Sequence, residues 1–383
     1  MEKQKSYSLS RDAETSEVSG YRYVHYGDIH KQVADIITAD KQLPRIKAND
    51  YVPLAQGDLV LADASEDYTG IAEPCVILHK PEEKIIAGLH TIALRPLNTD
   101  SLYLYYSLHT ERFKKFGNHV GTGLKVFGIT FNNIAKFEAG IPVLKEQIAI
   151  GNFFRTLDEI IHATQRKVAL LKQLKAAYLQ QMFPQDGEKV PRVKFGGFSG
   201  DWNEMKLGKI AETYSGGTPS VGIRSYYNGV IPFIRSAEIN SDKTELYLSN
   251  DGLKNSSAKI VNVGTILYAL YGATSGEVGR SKIAGAINQA ILAIEPKEHY
   301  NSEFIFQWLR RQKESIVSTY LQGGQGNLSA AIIKELPITT PSFSEQTAIG
   351  NFLCNLDMQI KTQSEKVKKL KGLKSAYLQK MFI

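Results

Sequence analysis

The sequence has little with which to be cross-linked or embedded. It holds two cysteines, Cys75 and Cys354, far apart and neither in a C-x-x-C pair, so a disulfide framework or a cysteine zinc site is not expected. No window approaches the ~18 continuous apolar residues of a membrane span, and the opening MEKQKSYSLSRDAET is polar throughout. A soluble, cytoplasmic protein is the expectation. Charge of one sign is also scarce: 46 Lys+Arg against 39 Asp+Glu leave only +7 over 383 residues. Disorder is not expected, because 43% of the residues are hydrophobic and only 22% are charged. A chain of this length exceeds what one hydrophobic core usually organises, which predicts two domains.

Catalytic equipment is equally sparse. There is no G-x-x-x-x-G-K-[ST] phosphate loop and no G-x-G-x-x-G between a strand and a helix. The glycine-rich string Gly117 to Gly128 is better read as a flexible loop. The Asn-Pro-Pro-Tyr tetrapeptide with which many DNA amino-methyltransferases hold the target amine is missing. Pro81-Glu82-Glu83-Lys84 lacks the separated upstream acid of a nuclease metal motif. None of the eight histidines forms H-x-x-x-H or H-E-x-x-H. His25 and His30, with Asp28 between them, fit polar loop residues facing ligand or solvent better than a metal site. No catalytic group and no metal ligand is therefore assigned to this chain.

What the sequence does contain is a repeat. Glu146 to Phe183 returns as Glu345 to Phe382 at a constant shift of 199, ungapped, with about 22 identities in 38 positions. Pro142 and Pro341 stand four residues before the two Glu-Gln pairs. Leu157, Ile161, Thr164, Val168, Leu171, Leu174, Tyr178 and Met182 follow 3 and 4 spacing. Leu356, Ile360, Gln363, Val367, Leu370, Leu373, Tyr377 and Met381 repeat it. No proline interrupts either run, so both predict long helices. A stripe of this length must be covered, and the simplest cover is the other copy lying antiparallel, with separate packing on each domain as the alternative. Leu157, Ile161, Val168, Leu171 and Tyr178 would then face Leu356, Ile360, Val367, Leu370 and Tyr377. Phe153, Phe154, Phe352 and Leu353 add apolar width, for partner helices or for the chain's own core.

Residues 20 to 140 and 202 to 340 are of another character: short alternating runs such as Gly57 to Leu61 and Gly264 to Tyr268 favour mixed sheet, with short helices near Leu102 to Phe113 and Ser302 to Ser315. Pro184 to Pro191 is a plain linker. The predicted fold class is α+β with an internal pseudo-two-fold: two mixed α/β domains, 1–142 and 201–341, joined through long helices at 143–183 and 342–383 and a linker at 184–200. Residues 146–183 and 345–383 carry +2 and +4 of the net charge, leaving +1 for the rest, so composition alone does not identify a DNA binder.

The motifs in order do. P-x-x-x-E-Q-x-x-I at Pro142 to Ile150 and Pro341 to Ile349, A-Y-L-Q-x-M-F at Ala177 to Phe183 and Ala376 to Phe382, and PRVKFGGFSGDWNEMKLGKI from Pro191 to Ile210 resemble the specificity subunit of type I restriction-modification systems. So do Ser215 to Ser220, Ile231 to Arg235 and Gln322 to Leu328. The likeness covers about Gly20 to the end. One departure stands out: the first domain lacks the W-x-x-x-x-L-G of Trp202 and Leu207-Gly208. The resemblance implies a non-catalytic subunit with two target-recognition domains that reads a bipartite sequence in double-stranded DNA. It implies two methyltransferase subunits as partners, with restriction or translocase subunits beyond them. S-adenosylmethionine would belong to the methyltransferase, and ATP and Mg to the restriction subunit. A non-DNA-binding scaffold built on the duplicated coiled coil is the rival reading.

Candidate DNA contacts follow from residue chemistry. In the second domain they are Ser215 and Thr218 with approachable amides at Gly216 and Gly217, Arg224, Arg235 and Arg280 for phosphate or guanine, Tyr226 and Tyr227 lining the groove, and Gln325 and Asn327 at a base edge. In the first they are His25, His30, Lys31, Arg45, Lys47 and Lys125. For each arginine a surface ion pair is the competing explanation.

Overall fold

The computed structural model describes all residues except 67–69, 80–81, 124–126, 186, 322–326 and 383. The chain divides into two compact units: Met1–Arg166 with Ser364–Ile383, and Lys167–Gln363. Each unit thus contains a mixed domain and a stretch of both long helices, which run over Leu144–Gln181 and Phe343–Met381.

The first unit is built on a five-stranded sheet in the order Glu2–Gln4, Thr91–Arg95, Leu59–Ala62, Pro74–Ile77, Ile36–Ile37. Its ladders are antiparallel except the last. Beside it, Tyr21–Val24 runs parallel to Lys84–Ala87. The central strands are buried on both faces, which explains why LVLA and PCVI are continuous apolar runs rather than alternations. The second unit repeats the plan. An antiparallel sheet orders Ala211–Ser215, Ile291–Pro296, Ile266–Ala269 and Val278–Arg280, and Ile231–Ile234 runs parallel to Gly285–Ile287 within a second sheet. Its ladder of Asn203–Lys206 against Pro337–Thr340 has no counterpart among the described residues of the first unit.

The predicted short helices are present with a difference. In the first unit there are two, Ser101–Ser107 and Glu111–Val120, because the Thr110 hydroxyl accepts from Phe113 N–H and starts a new helix. In the second unit, Leu309-Arg310-Arg311 offers no such cap and Ser302–Leu321 runs unbroken.

The long helices pair antiparallel within each unit, through contacts that the repeat duplicates. In the first unit Phe153 meets Tyr377 edge-on at 5.3 Å and Asp158 pairs with Lys374 at 2.6 Å. In the second, Phe352 meets Tyr178 at 4.8 Å and Asp357 pairs with Lys175 at 2.6 Å. Each pair maps onto the other under the shift of 199. Leu157, Ile161 and Leu356 are buried, and Val168, Leu171, Tyr178, Ile360, Val367 and Leu370 are half-buried along the seam. One expectation needs correction. Leu174 and Leu373 lie outside the stripe, 44% and 43% exposed, because the helix turns Lys175 and Lys374 inward, burying their stems while the ammonium groups reach Asp357 and Asp158. Phe154 and Leu353 pack into their own units' cores rather than outward.

The P-x-x-x-E-Q motif is a clamp. The Gln147 side chain accepts from Asp100 N–H at 2.8 Å and donates to the Pro142 carbonyl at 2.7 Å; Gln346 does the same with Asn301 and Pro341, both at 2.9 Å. One turn on, Gly151 and Gly350 let the long helix approach the start of the short one. A Cβ at Gly151 would lie 2.8 Å from Leu102 Cβ, and one at Gly350 3.1 Å from Phe304 N.

Candidate nucleic-acid interface

In the first unit, Tyr21–Val24 ends at His25, which caps the helix Tyr26–His30: His25 Nδ1 accepts from Gly27 N–H and Asp28 answers to the His25 N–H. This needs a neutral imidazole, and burial, with the Arg11 guanidinium adding to it, pushes the His25 pKa down. Arg11 holds Asp28 at 2.6 Å. In the second unit, Ile231–Ile234 ends at Arg235, and Glu238 three residues on accepts from Arg235 N–H at 3.0 Å, while the guanidinium, which has no acceptor, donates to the same carboxylate. Against a burial penalty acting the other way, hydrogen bonds from the Arg235 guanidinium and from backbone amides bring Glu238 down to about 2. Both loops have an acid that accepts from the strand-end amide, and only the first adds a side-chain acceptor for a backbone amide.

Around the first loop opens a cleft of about 680 Å³ lined by Arg11, His25, Tyr26, His30, Lys31, Lys114 and the acids Glu66 and Glu73. His30 lies between Glu73, at 3.2 Å, and the Ala64 carbonyl, at 2.9 Å. Lys31 and Lys114 are exposed. The structure thus brings His25, His30 and Lys31 together and leaves the other choices elsewhere. Arg45 shares Glu83 with Arg22, and Lys47 is exposed apart from them. Lys125 lies outside the described residues. Arg11, Tyr26 and Lys114 were not legible as site residues, since nothing local marks them and only the fold gathers them.

In the second unit, Gly216 is half-buried and Gly217 buried, and both press against neighbouring chain. A Cβ at Gly216 would fall 1.7 Å from the Ile287 carbonyl oxygen and one at Gly217 1.9 Å from Ser257 Oγ, so both glycines exist for packing. The Ser215 hydroxyl is buried beside them, and Thr218 donates to Gln289 at 2.6 Å. Arg280 is committed internally: it donates to the Gly264 carbonyl, Ser302 and Glu303 and lies 4.7 Å from the Phe306 ring. Arg235 pairs with Glu238 and Glu245. Arg224 is exposed on the turn that carries Tyr226 and Tyr227, with Tyr227 donating to the Pro219 carbonyl. Asn327 is exposed and bridges Tyr271, and Gln325 lies outside the described residues. Among the described residues no cluster suited to a metal ion occurs and no helix is long and apolar enough to cross a membrane.

The model of the type I restriction modification DNA specificity domain matches residues 2–173 and again 199–372, nearly the whole chain in two copies. The chain belongs to this family. Among its curated relatives, the MjaIX specificity subunit of a type I restriction enzyme from Methanocaldococcus jannaschii is 29% identical over 181 residues, 44% of this chain and 42% of that protein. The EcoR124I/EcoR124II specificity subunit from Escherichia coli is 27% identical over 39% of this chain and 40% of its own. The chain thus matches less than half the length of these relatives. The crystal structure of a type I restriction-modification S subunit from M. genitalium shares the fold, with a TM-score of 0.63 at 16% identity, covering 100% of this chain and 93% of that one.

Proposed function

We propose that the chain is the DNA-recognition subunit of a type I restriction-modification complex, reading a bipartite target and docking the subunits that modify or cut it. The observation that carries this reading is the duplication of an entire device, a mixed domain clamped by Gln147 or Gln346 onto a long helix. The cleft at the end of one strand gathers the exposed Lys31 and Lys114 beside the buried His25 in one copy, and Arg224 and Arg235 stand on the loops of the other. Residues 1–142 and 201–341 serve as the two readers. Cations hold the phosphates and fix register, while side chains on the loops distinguish bases. The linked helices act as a spacer, and their outward residues, Leu170 and Leu174 among them, receive two methyltransferase subunits. The chain supplies no catalytic group. S-adenosylmethionine belongs to the methyltransferase, and ATP and Mg to a restriction subunit.

Methylation sequencing of a host expressing this chain with its methyltransferase tests the reading. Two short half-sites around a fixed unspecified gap are expected. Inserting one turn, ~5.4 Å, into both helices should lengthen that gap by about one or two base pairs at ~3.4 Å each with both half-sites unchanged. Methylation indifferent to sequence, or absent despite an assembled complex, favours the scaffold reading instead.

A further inference from the structure

In the first unit the chain makes a left-handed turn shortly after the strand Lys84–Ala87. His90 has a φ of +54°, a conformation uncommon for a residue with a β-carbon and ordinarily supplied by glycine. The imidazole gains little from burial there, since it is 49% exposed. Something other than core packing therefore keeps a histidine at this place.

The duplicate shows what the fold itself requires. Asp63 and His90 stand immediately past the end of the ladder of Leu59–Ala62 against Thr91–Arg95, and Leu270 and Ala290 immediately past the end of Ile266–Ala269 against Ile291–Pro296. Each pair makes the same backbone hydrogen bond: Asp63 N–H donates to the His90 carbonyl at 3.0 Å, and Leu270 N–H to the Ala290 carbonyl at 2.8 Å. In the second unit both side chains are apolar and buried, and Ala290 keeps out of the left-handed region. In the first, the Asp63 carboxylate holds His90 Nδ1 at 3.2 Å. The acid and the ring are thus additions to a turn that closes without them.

These additions stand beside the loop of His25. Tyr21–Val24 and Lys84–Ala87 run parallel, so His25 and His90 follow strand ends on the same edge of the sheet. Tyr26 joins them: its ring lies 4.5 Å from that of His25 and meets His90 edge-on at 5.3 Å. With Nδ1–H donated to Asp63, Nε2 is the atom left for a ligand, and among the described residues none bonds it. In the neutral ring Nε2 accepts, which suits the amino group of a base edge, adenine N6 or cytosine N4, and not a phosphate oxygen.

We propose that His90 reads one base pair of the half-site that the first unit recognises, and that Asp63 is a positioning residue that fixes its ring. This rests on the DNA-reading role and assigns one side chain within it. The carboxylate selects the tautomer and restrains the ring before DNA arrives, so less freedom is lost on contact.

Methylation sequencing of a host that expresses the full chain with its methyltransferase tests this. His90→Gly, which fits the φ of the turn and removes only the ring, should lower the preference at one position of one half-site about tenfold. The rest of that half-site, the gap and the other half-site should stay unchanged. Asp63→Ala should relax the same position, and Asp63→Asn, whose amide oxygen can still accept from Nδ1–H, should restore it. A His90→Gly variant with the unaltered motif, or with methylation reduced evenly over all sites, would overturn the proposal. So would Asp63→Ala relaxing a different position, or no rescue by Asp63→Asn. An unaltered chain that directs methylation without two half-sites would instead remove the DNA-reading role itself, and this assignment with it.

Discussion

The two units use the same clamp and finish it differently. Gln147 and Gln346 make the same pair of hydrogen bonds, Gly151 and Gly350 the same close approach, and Asp158 and Asp357 the same ion pair with a lysine of the other helix. The surroundings diverge. Asp357 also accepts from Gln307 and Arg310, whereas Asp158 accepts from Tyr106. Trp202 seals one aromatic corner over Phe183 and Phe304, and Phe382 is half-buried at the other. In the loop after the first parallel strand a histidine accepts from a backbone amide in one unit, and an arginine donates to two acids in the other. The lesson is that attachment between domain and helix tolerates little variation because it depends on close backbone approach, while loops anchored only at their ends can change chemistry freely.

The largest effect should come from the sealed corner. Trp202→Ala should cost about 3–4 kcal/mol by leaving a cavity over Phe183 and Phe304, and Phe382→Ala, half-exposed, about 1–2; urea unfolding of the full chain checks this. Equal costs would show that both corners are covered alike. Next, Asp357→Asn should cost about 2–3 kcal/mol, since it strands the buried Lys175, and Asp158→Asn somewhat less because Lys374 is more exposed. A larger cost for Asp158→Asn in calorimetry would break the comparison. Gly151→Ala and Gly350→Ala should each destabilise by about 1–2 kcal/mol, although helix propensity alone would stabilise by about 1. A gain in stability would mean the approach is not rigid.

Acid should separate the loops. The His25 pKa is depressed in the folded protein, so its contribution is present above the ordinary value of 6.5 and is lost as pH falls below it. Glu238 contributes above 4.5 and loses that only as pH falls towards about 2. Hydrogen exchange should therefore quicken at Gly27 first, at a pH below 6.5, while Glu238 stays protected until the pH falls towards about 2. The smallest effect concerns DNA: Lys31→Ala or Arg224→Ala should weaken binding to all sequences alike and reduce the salt slope by about 1.

The repeat and the helix stripe were legible because both are periodic, and periodicity is a property of the chain alone. Leu174 and Leu373 match the apolar spacing yet lie outside the seam, because Lys175 and Lys374 can bury a stem and still reach an acid. Arg280 and Gly216 resembled site residues because a guanidinium or a glycine looks the same in sequence whether it meets a phosphate or the chain's own carbonyl. Arg11, Tyr26 and Lys114 converge on one cleft from separate segments, and no local pattern links them.

By itself the sequence determined that one device occurs twice, that its helices are long and amphipathic, and where they begin, since these follow from spacing and composition along the chain. Only the tertiary structure decided which charged groups are already neutralised inside the fold, which glycines are pressed against backbone, and how deeply Phe183 and Phe382 are buried. Those facts depend on distances between residues far apart in sequence, and the free energy of a charge or an apolar side chain is set by what surrounds it in space.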